Sequence, residues 1–208
     1  MAQAKLAVKT PLAPLQWVTI SGQGKLRFEK PDDKDPVNYQ YCASAVLNKE
    51  QADALNVIIK QFWKDNKPTG ATVMKYDVIK AEVEPVVDKE GKPTFDEDGA
   101  KITTPTGNYT IQAKTGTQWG DGKPNVIKVL NAAGQQIQLG DKVIGDGSTG
   151  VLHMNLGINA YKGNEGVNCY LVAVQLKKFV EYTGSDIQAE SLGETEGLEE
   201  LELDAICI

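Results

Sequence analysis

From Val151 to Tyr161 the chain alternates with a period of two. Leu152, Met154, Leu156, Ile158 and Ala160 fall on one side, and Val151, His153, Asn155, Gly157, Asn159 and Tyr161 on the other. That period belongs to a half-buried β-strand. Residues 162–166, Lys-Gly-Asn-Glu-Gly, are turn formers, and Val167 to Val180 follows as a second, more apolar strand. A hairpin of this length constrains everything else. One of its faces needs a core, and the other is left to solvent or a ligand. Tyr161 shares the polar face with two Asn and a Gly, beside Lys162. A ring next to a cation suits stacking on a nucleic-acid base. It equally suits a Tyr on the sheet rim with its hydroxyl in water, and on the strand pattern alone the rim is the simpler reading.

The preceding chain supplies more short strands. Residues 1–14 carry two Pro and read as a loose arm. Leu15 to Phe28 is two short strands, or one bent strand, broken at residues 21–24, Ser-Gly-Gln-Gly. Lys25 and Arg27 alternate there with Leu26 and Phe28, which directs both cations away from the core. Asn38 to Leu47 reads as a strand with Tyr39, Tyr41, Ala43 and Ala45 on one face. Asn48 with Gln51 three residues later has the form of a capping box. Ala52, Leu55, Ile58, Ile59 and Phe62 recur at helical spacing up to Asp65, as a core-facing stripe, with Trp63 beside it closing the core.

Residues 71–84 mix both periods and lean to extended structure. Residues 88–106 are polar and turn-rich, an expected exposed loop. From Gly107 to Thr115, Tyr109, Ile111 and Ala113 oppose Thr110, Gln112 and Lys114. Residues 116–124 form a Gly-rich loop holding Trp119 and Lys123, and Asn125 to Asn131 returns with Ile127 and Val129 opposite Lys128. Six or more short strands, one firm helix and Gly-rich turns fit a mainly β fold. The expectation is an OB-fold, a five-stranded Greek-key barrel, with an inserted helix and a disordered acidic C-terminal tail.

Length favours one globular domain over 1–184 with a tail over 185–208. Residues 186–208 hold eight acids and no base, while all 22 Lys and Arg precede them against 20 of the 28 acids. The net charge of −6 therefore describes a body near +2 carrying a polyanionic tail. No run of eighteen apolar residues and no apolar leader core is visible, so neither a membrane span nor a secretory signal is expected. Three widely spaced cysteines, Cys42, Cys169 and Cys207, argue against a disulfide framework and fit a reducing cytoplasm.

Several chemistries lack their residues. The single histidine, His153, lies mid-strand without a triad around it. No Cys-x-x-Cys, His pair or His-Glu-x-x-His spacing offers a metal site, and Asp96 to Gly99 lacks the remaining calcium-loop ligands. Residues 117–123 imitate a phosphate loop but have Thr117 for its first glycine and Pro124 where a magnesium-binding hydroxyl belongs. Nothing selects two carboxylates for glycoside chemistry. We expect no enzymatic activity, no cofactor and no metal.

Two features remain. Lys25, Arg27, Lys114, Trp119, Lys123, Lys128, Tyr161 and Lys162 could line one surface, with Tyr39, Tyr41 and Tyr109 as further rings. Cations interleaved with rings are what a single nucleic-acid strand requires. With only one Arg, sequence-specific reading of guanine is not expected. The second feature is the tail. Glu199, Glu200, Glu202 and Asp204 precede an apolar tip, Ile206 to Ile208. Acids of this kind can occupy a cationic groove, and the tip can anchor a protein partner, or the whole can simply solubilise.

Residues 107–137 and 145–182, in that order and followed by an acidic run, resemble the OB-fold single-stranded-DNA-binding proteins of tailed bacteriophages. The resemblance rests on Gly107 and Tyr109, Lys123-Pro124, Gly147-Ser148, Asn159 with Tyr161, and Leu171 to Leu176. It departs at the end, where an aromatic commonly closes the family's tail and Ile208 stands here. The resemblance implies coating of single-stranded DNA in phage replication and recombination, in the cytoplasm of the infected host cell. It also implies recruitment of replication proteins such as a polymerase or helicase through the tail, with self-association a further expectation. The rival reading is a β-rich phage structural or adaptor protein that binds another protein through its tail.

Overall fold

The computed structural model describes residues 4–27, 35, 38–161 and 163–183. Among the described residues ten strands and one helix follow one another. They are β1 (Lys5–Lys9), β2 (Ala13–Thr19), β3 (Lys25–Leu26), β4 (Tyr39–Leu47), α1 (Lys49–Asn66), β5 (Ile79–Pro85), β6 (Thr103–Gly116), β7 (Lys128–Leu130), β8 (Gln136–Ile137), β9 (Thr149–Asn159) and β10 (Gly166–Lys178). They join in the order β5-β6-β4-β2-β9-β10-β7-β8, with β1 on β9 and β3 on β4. The long hairpin is present as β9 and β10. Leu152, Met154, Leu156 and Ile158 are buried, and the alternate residues face outward. All pairings are antiparallel except β10 with β7, so the sheet is mixed. The result is an OB-type fold with an inserted helix.

The core lies between the inner faces of β4, β6, β9 and β10. Ala43, Ala45, Ile111 and Ala113 have no exposed surface, and Leu55, Ile59, Phe62 and Trp63 of α1 close on them. The small residues on β4 and β6 let the helix come close. Ile58, read as part of the apolar stripe, is instead exposed, because the helix turns only the Ala52, Leu55, Ile59 and Phe62 face inward.

The helix starts where the sequence says. Asn48 Oδ1 accepts the Gln51 N–H at 2.9 Å, and Gln51 Oε1 accepts the Asn48 N–H at 3.1 Å. Replacing Asn48 by Ala removes one half of this reciprocal cap. Urea unfolding should show a loss of about 1 kcal/mol without a change in m-value.

Three expectations need correction. Residues 5–9 are not a loose arm. Lys5 to Lys9 pairs with Gly157 to His153, and the Leu152 N–H donates to Thr10 Oγ1 at 3.0 Å. Val8 packs against the core and Leu6, on the same face opposite Leu156, remains exposed, a pattern that two nearby prolines concealed. Residues 88–106 are not simply a loop. Thr103 to Thr106 open β6, and bridges Val87–Pro93 and Phe95–Lys101 fold the remainder into an arm. Third, β9 ends at Asn159, so Tyr161 lies in the turn rather than on the strand face.

Candidate nucleic-acid interface

Strand register assembles one cationic face. Across β4 and β6, Cys42 pairs with Lys114 and Ser44 with Gln112, so Gln40, Gln112 and Lys114 share the side opposite Ala43 and Ala113. β3 places Lys25 beside Gln40, and β5 places Lys80 beside Thr110, on that same side. The Arg27 guanidinium lies against Gly116, where an added Cβ would stand 2.6 Å from it. Lys25, Arg27, Lys80 and Lys114 therefore line up, and among the described residues no carboxylate forms an ion pair with any of them. Cations without an ion pair among the described residues, gathered on one face, suit contact with phosphates.

β6 and β10 approach each other, and a cleft of about 450 Å³ opens between them. Arg27, Gln40, Lys80, Gln112 and Lys114 form one wall, Asn168 and Tyr170 the other, and Tyr76 and Asp77 close it. The β10 wall is the outward face of the long hairpin. Tyr170 pairs with Asn155, Asn168 with Gly157, and Gly166 with Asn159. Both rings lie on glycines. A Cβ on Gly157 would stand 2.7 Å from the Tyr170 ring, and one on Gly166 would stand 2.6 Å from the Tyr76 ring. No other residue leaves room for these contacts.

The rings are also tethered. The Tyr76 hydroxyl donates to Asn168 Oδ1 at 2.9 Å and accepts from Asn159 Nδ2 at 3.5 Å, while Asn168 Nδ2 donates to the Tyr170 hydroxyl at 3.4 Å. The Lys75 N–H donates to the Glu165 carbonyl at 2.9 Å, which holds the Tyr76 segment to the β9–β10 turn. Burial raises the Tyr76 hydroxyl above its ordinary pKa, against the hydrogen bond from Asn159. It therefore stays a protonated donor through neutral pH.

Other sequence-predicted residues lie elsewhere. Lys128 shares the outward face of the hairpin with Asn168 and Tyr170 but lies further along it, outside the cleft lining, in a row that runs Lys9, His153, Ala173, Lys128. Trp119 is exposed at the tip of the turn that leaves Gly116, closed by its N–H donating to the Lys123 carbonyl at 2.8 Å. The Lys123 ammonium is 2.8 Å from Asp121 and holds that carboxyl below its usual range. Tyr161 is 76% exposed, beyond the hairpin wall. Tyr39 and Tyr41 face away from the cleft and line a shallow hollow with Pro124, the Tyr41 hydroxyl donating to the Gly22 carbonyl at 3.2 Å. Tyr109 packs against the core opposite Leu47. Lys162 and the tail residues Glu199, Glu200, Glu202, Asp204, Ile206 and Ile208 lie outside the described residues.

The structure thus brings Lys25, Arg27 and Lys114 together and adds Lys80, Tyr76 and Tyr170, which the sequence reading did not single out. Tyr170 could have been found by extending the hairpin's alternation into β10. Tyr76 carries no periodic signal. Among the described residues no group of three or more His, Cys, Asp or Glu could hold a metal, and no helix is long and apolar enough to cross a membrane.

No family model and no curated protein matches the sequence. Solved structures match the fold. The gp2.5 single-stranded-DNA-binding protein of bacteriophage T7 aligns with a TM-score of 0.52 at 15% identity, over 95% of this chain and 100% of that one. The single-stranded-DNA-binding protein of bacteriophage Enc34, solved in complex with single-stranded DNA, aligns with a TM-score of 0.52 at 17% identity, over 86% of this chain and 89% of that one. Its C-terminally truncated form gives a TM-score of 0.53 at 15% identity, over 84% and 87%.

Proposed function

We propose that this chain binds single-stranded DNA without sequence specificity and serves phage DNA replication and recombination in the cytoplasm of the infected host cell. On this reading it acts as a coat rather than an enzyme, and its acidic tail recruits replication proteins such as a polymerase or helicase. The observation that carries the reading is the cleft, where two tethered tyrosine rings face a row of cations that have no ion pair among the described residues. Unstacked bases offer a π-face to such rings whatever their identity, and the cations take the phosphates. A duplex hides those faces, so single strands are preferred. The fold shared with phage proteins named for this binding supports the same reading.

Fluorescence anisotropy with oligo-dT in a salt series tests it. Each phosphate contact to a single strand contributes about −0.7 to the slope of log K against log salt, so four cations predict a slope near about −3. Failure to bind oligo-dT at low salt, or binding indifferent to salt, would overturn the proposal. A subtler variant probes the cleft itself. Gly166→Ala must push the Tyr76 ring aside while leaving its chemistry intact. Binding should weaken by about 5-fold or more, within the range of one lost base stack, with far-UV circular dichroism unchanged.

A further inference from the structure

The edge of β1 offers a second surface outside the cleft lining, although its outward residues Lys5 and Ala7 share the hairpin face that carries Asn168 and Tyr170. β1 pairs with β9 along one side, and among the described residues no strand covers the other. The Thr10 N–H donates to the Leu152 carbonyl at 3.0 Å, continuing the pairing of Leu6 and Val8 with β9. By alternation, the N–H and C=O groups of Lys5, Ala7 and Lys9 point to the uncovered side. Beside that edge lies an apolar groove between β1 and α1, lined by Leu6, Val57, Ile58 and Phe62. Val57 is 68% exposed in mid-helix. Asp65 at the groove's end is held by Gln61, whose Nε2 donates to it at 2.8 Å. An open strand edge flanked by an apolar groove is the receptor form for an added strand.

The strand it would take is specified by β1's own pattern. Lys5 and Lys9 face outward and have no ion pair among the described residues, while Leu6 and Val8 face inward. A second copy of β1 is a poor match. A two-fold pairing about Ala7 would set Lys5 directly against Lys9 of the other copy, and like charges in that position repel. One stretch of this chain has the complementary pattern: Glu200, Leu201, Glu202, Leu203 and Asp204. Set across from Lys5 to Lys9 with Glu202 opposite Ala7, it brings Glu200 and Asp204 to the two lysines. Leu201 and Leu203 then face inward beside Leu6 and Val8, over Val57 and Ile58. We propose that residues 200–204 dock in this way on β1 of the same molecule as an added edge strand. The 16 residues between Thr183 and Glu200 make 17 Cα-to-Cα steps that span up to about 56 Å when extended, enough to cross a domain of this size.

Hydrogen exchange at positions 5, 7 and 9 tests the docking in the full-length chain. Deleting residues 199–208 should speed exchange there by about 10-fold or more and leave β9 and β10 unchanged. Lys5→Glu with Lys9→Glu should have the same effect, and adding Glu200→Lys with Asp204→Lys should restore protection. A second readout does not depend on those variants. With Cys207→Ser, the pair Ala7→Cys and Glu202→Cys should oxidise to a disulfide within one molecule, whereas Ala7→Cys with Leu192→Cys should not. Unchanged exchange on deletion together with no selective cross-link would overturn the proposal. Protection that appears only as protein concentration rises would overturn the intramolecular arrangement.

Discussion

Replacing Lys25, Arg27 and Lys114 together by Ala should lower the affinity for oligo-dT at low salt on the order of 100-fold and flatten the salt dependence by about 2 units of slope. The expectation rests on their shared face and on the absence of ion partners among the described residues. None of the three supports the core, so thermal unfolding should move little. Lys123→Ala is the informative contrast. Its ammonium already answers Asp121, and the pair is exposed, so its removal should change the slope by less than any one of the three. A titration of the four variants across salt measures this directly. Equal slopes for wild type and the triple variant would move the phosphate track to another face.

The rings should matter as much as the charges. Tyr76→Ala combined with Tyr170→Ala removes two stacking platforms, each worth about 1–3 kcal/mol per base, without altering charge. Affinity should therefore fall at every salt concentration while the slope stays as in wild type. That pattern separates stacking from phosphate contact in one experiment. Tyr76→Phe keeps the ring but leaves Asn168 Oδ1 without its donor and should lose only a small part of the binding. If the double Ala variant stays folded and binds as tightly as wild type, the exposed Trp119 and Tyr161 become the stacking partners to test.

Much of the fold was legible because burial writes itself as alternation. β6 and β9 each have one buried face, and period two exposes it in the sequence, whereas β4 is buried on both faces from Cys42 to Ala45. The helix was legible from its cap and stripe. β1 was not, since its five residues make a pattern too short to stand out beside Pro11 and Pro14. The site was half legible. Lys25, Arg27 and Lys114 are read off strand alternation, but the face they share is fixed by pairings between β3, β4 and β6 that sequence spacing does not encode. Tyr39 and Tyr41 show the limit from the other side. They alternate correctly, yet on the face opposite the cleft. Tyr76 is placed by the backbone hydrogen bond of its neighbour Lys75 to Glu165 and by its own hydroxyl contact to Asn168, both about ninety residues away.

The pairing of β1 with β9 also sets the order in which the molecule can be made. Lys5 finds its partner only at Gly157, so about 150 residues must leave the ribosome before the first strand can be placed. At about 5–20 residues per second that is a wait of about 8–30 s. Over that interval Leu6 and Val8 have no sheet to join, while β4, α1 and β6 can already assemble. Lys5 and Lys9, flanking those apolar side chains, keep the waiting segment charged and discourage it from pairing with neighbouring nascent chains. The N-terminal strand can therefore join the sheet only once β9 has been made, late in the synthesis of the chain.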